Sequence, residues 1–261
     1  MQISKLIENI KECGDTLLKY QKDIKVEIKK DGTPVTKADK EVNQILQNFL
    51  RKEYPTYGIM SEEDEKEHKE YTWYIDPLNG TGSYSRGEDR FNILVGLARE
   101  NTPILGIIYH PTDGRLYIGG EDITPKEIHN GKERLLTPPP NKKENLLFTP
   151  SENWENVFRE LFKNNSEYTF VYWDGLGDEF KDPRINVVDG YINLQINNHF
   201  SAWGTWDVCA GDAIISQLGA VVTDFYGRNI NYSKPNLDDG FIVADNRERI
   251  MKLPWIAKDS K

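Results

Sequence analysis

Four short stretches of the chain set a hard oxygen donor beside turn-forming residues. They are Asp39 in "PVTKAD", Glu62 and Glu63 in "IMSEED", Asp76 and Asn79 in "WYIDPLNGT", and Asp207 in "WGTWD". Carboxylate and amide oxygens from separate segments suit Mg²⁺, a cation that keeps several waters and binds beside phosphate. Strand ends and helix starts are where such groups converge on a ligand. Each stretch also has an ordinary use. Asp207 can cap a helix, Glu62 and Glu63 can belong to a solvated acidic face, and Asp39 can favour a helix start. Asn79-Gly80 after an apolar strand is in addition a hairpin-turn signal, because both residues tolerate positive φ.

Other catalytic patterns are missing. There is no G-x-S-x-G, no H-E-x-x-H and no Walker loop, and "GLGDEF" lacks the third glycine of a dinucleotide fingerprint. His68, His110, His129 and His199 are scattered along the chain, which points to surface or structural use. Cys13 and Cys209 are too far apart in sequence for a redox or metal motif and read as reduced, buried thiols. With 42 acidic against 33 basic side chains and a formal charge of −9, broad binding to nucleic acid is not expected. No apolar run approaches the ~20 residues of a membrane span. The opening "MQISKLIENIKECGDTLLKYQK" is an amphipathic helix rather than a signal peptide, so a cytoplasmic protein is the expectation.

The elements that must position these oxygens follow from periodicity. Ile3, Leu6, Ile7, Ile10, Leu17 and Leu18 keep helical spacing, with Gly14 allowing close packing. "VEIKKDGTPVT" reads as strand and turn, and Thr36 caps a second helix carrying Val42, Ile45, Leu46, Phe49 and Leu50. That helix stops at "EYP", because the residue before proline avoids the helical region. "YGIM" is a short strand leading into an acidic tract, Glu62 to Glu70, that is either a lid or a solvated loop. "TWYIDP", "FNILVGLAR", "PILGIIYHP" and "GRLYIGG" form an antiparallel meander. The proline-rich "LLTPPPNKKENLL" marks a boundary between subdomains 1–140 and 141–261. Beyond it come a helix around Trp154–Phe162, the strands "YTFVYW" and "INVVDGYINLQI", and a helix "TWDVCAGDAIISQLGA" with Trp206, Ala210, Ala213, Ile214 and Leu218 on one face. "VVTDFYG" and "GFIVAD" complete the sheet, giving a layered α+β protein.

The succession "DGTPVTKAD", "SEE", "WYIDPLNGT" and "WD-x-x-A-G" resembles the inositol monophosphatase superfamily of Mg²⁺-dependent, lithium-sensitive phosphatases over nearly the whole chain. The flank "SRGEDRFNILVGLARENTPILGIIYHP" is most similar to the 3′(2′),5′-bisphosphate nucleotidase branch. The resemblance implies an αβαβα sandwich of the inositol monophosphatase and fructose-1,6-bisphosphatase type. It implies two or three Mg²⁺ ions and a small phosphorylated metabolite as substrate, 3′-phosphoadenosine 5′-phosphate ahead of inositol monophosphate. It also implies a tendency to dimerise. In such a site Glu62, Asp76 and the Leu78 carbonyl would hold the metal at the attacking water. Asp76, Asn79 and Asp207 would hold the metal at the leaving oxygen. Asp39 and Thr81 would orient and deprotonate the water, while the Gly80 and Thr81 amides meet the phosphate.

Two departures stand out. Asn79 replaces the aspartate of the family signature and so brings no charge, which implies a slower enzyme or a family member kept for ligand binding alone. The branch's G-S-S-x-K segment is replaced by "GLGDEFKDPR", where Lys181 or Arg184 would have to meet a second phosphate. Tyr172, Trp173 and Trp203 are candidates to stack on an adenine ring, although core packing is the commoner use of such residues.

Overall fold

The computed structural model describes residues 1–28, 34–64, 66–137, 203–237, 240–244, 246–253 and 256, together with strand backbone at 146–149, 169–172 and 192–196. Helix α1 (Ile3–Tyr20) buries Leu6, Ile10, Cys13, Gly14 and Leu17 along one stripe. A Cβ on Gly14 would lie 2.5 Å from the Tyr109 ring, so glycine is what lets the helix approach the sheet there. Strands β1 (Val26–Ile28) and β2 (Pro34–Thr36) form an antiparallel hairpin that leads into α2 (Lys37–Glu53). Thr36 caps α2 as expected, and Val42, Leu46 and Leu50 are buried along it.

Both helices pack on one face of an eight-stranded sheet. Its strands are β3 (Gly58–Ser61), β4 (Lys66–Glu67), β5 (Tyr71–Asn79), β6 (Asn92–Arg99), β7 (Thr102–His110), β8 (Arg115–Gly120), β9 (Ile123–His129) and β10 (Lys132–Leu135). The order is β10-β9-β8-β7-β6-β5-β3-β4, antiparallel throughout except for the parallel pair β3–β5. The expected meander is β5 to β8. The hairpin β9–β10 is an addition to it, turning on Asn130 and Gly131 at φ 51° and 71°. "HNG" carries that signal in the sequence, since Asn-Gly suits a turn with two positive φ values.

Asn79-Gly80, by contrast, is not a hairpin turn. Strand β5 runs on through Asp76, Pro77 and Leu78 to Asn79 across a bulge, and Gly80 caps the short helix α3 (Thr81–Ser85). A bulge is one of the few places in a sheet that accepts proline.

Helix α4 (Thr205–Ile215) lies on the opposite face of the sheet. It is buried on nearly every side rather than on the one face that periodicity suggested, because a second sheet covers it. Its close seat on β6 and β7 comes from two glycines. A Cβ at Gly106 would lie 1.9 Å from the Ala210 carbonyl oxygen, and one at Gly96 2.6 Å from Cys209 Sγ. Side chains there would lift the helix, and Asp207 with it.

The second sheet has the order β12-β11-β13-β15-β14. It comprises β11 (Leu146–Thr149), β12 (Thr169–Tyr172), β13 (Ile192–Ile196), β14 (Val221–Asp224) and β15 (Gly240–Ala244), followed by α5 (Arg247–Met251). The strands expected in "VVTDFYG" and "GFIVAD" are β14 and β15, and among the described residues helix, sheet, helix and sheet follow one another as layers. The helix expected at 154–162 and most of the proline-rich boundary lie outside the described residues.

Candidate metal and phosphate site

Asp39 is the third residue of α2 and completes a capping box with Thr36. Its Oδ2 accepts from the Thr36 amide at 2.7 Å and the Thr36 hydroxyl at 2.5 Å. Its Oδ1 faces the Thr81 hydroxyl at 3.2 Å, and that hydroxyl is also 2.9 Å from the Leu78 carbonyl oxygen. One hydroxyl proton cannot serve both acceptors at once, so Thr81 donates to either the Asp39 carboxylate or the Leu78 carbonyl. Asp39 is fully buried. Burial lifts its pKa, the Thr36 hydrogen bonds oppose the rise, and the charge on Glu62 adds to it.

Asp76 stands on β5 just before the bulge, with its Oδ1 accepting from the Leu78 amide at 3.0 Å. It is 1% exposed, and its pKa lies well above the usual carboxylate range. Burial is the main cause, then the charges of Glu62 and Asp207, and Glu62 also hydrogen-bonds to it. Two carboxyl groups can make that contact only if they share a proton or a cation takes its place. Glu62 sits just past the end of β3, its amide donating to the Ile75 carbonyl at 3.1 Å across the parallel β3–β5 pair. Asp207 is the third residue of α4, with Oδ2 accepting from the Gly204 amide at 2.6 Å. Glu62 and Asp207, which the sequence pattern singled out from distant segments, are thus both brought within electrostatic reach of Asp76.

Asn79 faces Asn92 across β5–β6, and its Nδ2 donates to Asn92 Oδ1 at 3.1 Å. An aspartate has no proton to donate there and could only accept from the Asn92 amide, which would have to turn over. Asn92 itself escaped sequence reasoning, and the only cue to it was a polar residue opening an apolar strand. Gly80 has φ +91°, and a Cβ on it would lie 2.7 Å from the Arg90 carbonyl oxygen, so only glycine fits at that corner. Glu63 is half-buried, and His110 is buried edge-on to Tyr117. Trp203 takes the core-packing use rather than the base-stacking one, lying edge-on to Phe241 in the core around α4. Lys181, Arg184 and Trp173 lie outside the described residues, as does the side chain of Tyr172.

Among the described residues, no three His, Cys, Asp or Glu side chains stand in ready-made metal-ligating geometry. Hydrogen bonds within the fold hold one oxygen each of Asp76 and Asp207 and the nitrogen of the Asn79 amide. The donor set nevertheless fits a hard divalent cation. It consists of anionic and amide oxygens, with Asp76 buried beside two like charges that a cation would neutralise.

A model of the inositol monophosphatase family matches residues 2–259. The chain is 42% identical to the 3′(2′),5′-bisphosphate nucleotidase CysQ of Haemophilus influenzae over 82% of this chain and 81% of that one. It is 28% identical to the protein of the same name from Aggregatibacter actinomycetemcomitans over 96% and 93%. Among solved structures, a staphylococcal IMPase-I complexed with products superposes with a TM-score of 0.74 at 21% identity, covering 97% of this chain and 94% of that one. An IMPase of Thermotoga maritima gives 0.71 at 21% identity over 100% and 99%. The layered α+β fold is therefore that of the IMPases, and the chain belongs to the inositol monophosphatase family of phosphatases.

Proposed function

We propose that the chain is a Mg²⁺-dependent phosphomonoesterase that hydrolyses 3′-phosphoadenosine 5′-phosphate to AMP and inorganic phosphate. The observation that carries this reading is the buried Asp76 carboxyl, hydrogen-bonded to Glu62 and within reach of the Asp207 charge, with its pKa driven upward. Such a cluster is costly as bare charge and useful around a cation. The relatives named 3′(2′),5′-bisphosphate nucleotidase support the choice of substrate.

Glu62, Asp76, Asp207, the Leu78 carbonyl and the Asn79 amide oxygen would hold the metal. When bound, Mg²⁺ supplies charge stabilisation at the attacking and leaving oxygens of an in-line displacement. The chain's own groups do the rest. Asp39, held by two hydrogen bonds from Thr36, accepts a proton through the Thr81 hydroxyl from a water beside it. Gly80 and Thr81 present backbone amides at the start of α3, where a side chain on Gly80 would collide with Arg90. Subdomain 1–140 would contribute all of these except Asp207, which the second half brings in on α4. Lys181 or Arg184 would meet the second phosphate.

The Asn79–Asn92 pair supports a second reading, a family member that binds its ligand and turns it over slowly. Phosphate release from 3′-phosphoadenosine 5′-phosphate and from inositol monophosphate, with and without Mg²⁺, separates the readings. We expect Mg²⁺-dependent release favouring the nucleotide, and at least a tenfold rise in Asn79→Asp, since a charged ligand beside a cation is worth roughly 4 kcal/mol before solvent offsets it. Tight nucleotide binding without turnover in both proteins would select the binding protein.

A further inference from the structure

We propose that Lys66 is a positioning residue that clamps the Glu62 turn onto α4 and so sets the separation of Glu62 from Asp207. The part of this inference that concerns Mg²⁺ rests on the function proposed above. Strand β4 pairs antiparallel with β3, Met60 opposite Lys66, and the turn between them carries Glu62. Lys66 is the only base in the run "SEEDEKE". Its ammonium donates to the Ser61 carbonyl, and to the Glu62 carbonyl at 3.1 Å. The same ammonium lies 4.2 Å from the centroid of the Trp206 ring. Trp206 is 7% exposed and immediately precedes Asp207. Its ring folds back over Gly204, where a Cβ would lie 2.1 Å from it, so the residue that admits the ring is also the one whose amide holds the Asp207 carboxylate.

One charged group therefore joins the edge of the first sheet to the helix on its far face. The other side of the turn is fixed independently, by the Ser61 hydroxyl donating to Asn43 Oδ1 at 2.6 Å on α2. Lysine suits the task because an ammonium has three donors on a flexible stem and also stacks on an indole face. A positioning role and a purely electrostatic role predict opposite signs. A positive charge beside a cation site repels Mg²⁺, so its removal would tighten Mg²⁺ binding if charge were all that mattered. If Lys66 sets the spacing of the two carboxylates, its removal weakens binding.

The test compares the full chain with Lys66→Met, which keeps the stem, and Lys66→Arg, which keeps the charge. Without metal, exchange of the Glu62 amide, bonded to the Ile75 carbonyl, should be about tenfold faster in Lys66→Met, given charge-assisted bonds and a cation–π contact of ordinary strength. Mg²⁺ binding by calorimetry should weaken about fivefold at an unchanged global unfolding midpoint, and Lys66→Arg should restore most of both effects. Unchanged Glu62 exchange in Lys66→Met overturns the clamp. Faster exchange with equal or tighter Mg²⁺ binding overturns its control of the carboxylate spacing. A wild-type chain that binds no Mg²⁺ counts against the proposed function, while exchange at Glu62 still decides the clamp.

Discussion

At the start of α2, Asp39 follows Thr36 by three residues and its Oδ2 accepts the Thr36 amide at 2.7 Å. At the start of α4, Asp207 follows Gly204 by three residues and its Oδ2 accepts the Gly204 amide at 2.6 Å. The same capping device thus fixes a carboxylate on each side of the first sheet. The residues around it differ. Thr36 adds a hydroxyl to Oδ2 and Thr81 meets Oδ1, so Asp39 sits fully buried among groups that carry protons. Gly204 adds no hydroxyl, and Asp207 lies within electrostatic reach of Asp76, while Asp39 feels the charge of Glu62. A cap at the third helical position sets where a carboxylate points. On the function proposed above, its neighbours would decide whether it handles protons or cations.

The strongest way to break that comparison is to neutralise each carboxylate without changing its shape. Asp39→Asn should lower kcat about a thousandfold and leave Mg²⁺ binding intact, as expected for loss of a proton acceptor. Asp207→Asn should also impair turnover, but with a clear rise in the Mg²⁺ concentration needed. Titration of rate and of bound Mg²⁺ in both variants reads the difference, and identical Mg²⁺ responses would erase it.

The caps themselves give the next largest effects. In Gly204→Ala the new Cβ would meet the Trp206 ring at 2.1 Å, so this variant should lose about 3 kcal/mol of stability through overpacking. Thr36→Ala removes the cap and one of the two hydrogen bonds to Asp39, leaving the bond from the residue 36 amide, and should cost about 2 kcal/mol. Urea unfolding ranks the pair, and a larger loss for Thr36→Ala would reverse the account of the two helix starts.

The smallest effect concerns the far end of α4. Burial raises the pKa of Asp212 against the pull of hydrogen bonds from Ser216 at 2.6 Å and Tyr232 at 2.7 Å. A carboxyl whose folded pKa is raised holds its proton more tightly when folded, so stability falls as pH climbs from the ordinary carboxylate range through the folded value. Asp212→Asn should flatten that fall and leave kcat near wild type. An unchanged slope in a pH series of melting curves would show that Asp212 does not cause it.

Local devices were legible in the sequence. The Thr36 cap, the stripes of α1 and α2 and the end of α2 before "YP" all depend on residues a few positions apart, and they formed as the spacing implied. Longer-range features were less so. Asn79-Gly80 looked like a hairpin because its own propensities favour one, yet β5 continues through a bulge to reach the partner Asn92. The β9–β10 hairpin was overlooked although "HNG" announces it. The all-round burial of α4 comes from a second sheet that its periodicity could not reveal. Lys66 and Trp206 meet across the fold with no trace in either local pattern, since a charge resting on an aromatic face requires only proximity.

The central claim is that oxygens from the turn after β3, from β5 and from α4 gather a divalent cation against a phosphoryl group. Crystals grown with inorganic phosphate and Mn²⁺, a hard oxygen-seeking substitute for Mg²⁺, test it most directly through anomalous density. The account predicts Mn²⁺ between Glu62, Asp76 and Asp207, with the Asp76–Glu62 hydrogen bond broken and phosphate at the Gly80 and Thr81 amides. Mn²⁺ bound elsewhere, with Asp76 and Glu62 still hydrogen-bonded to each other, would contradict it.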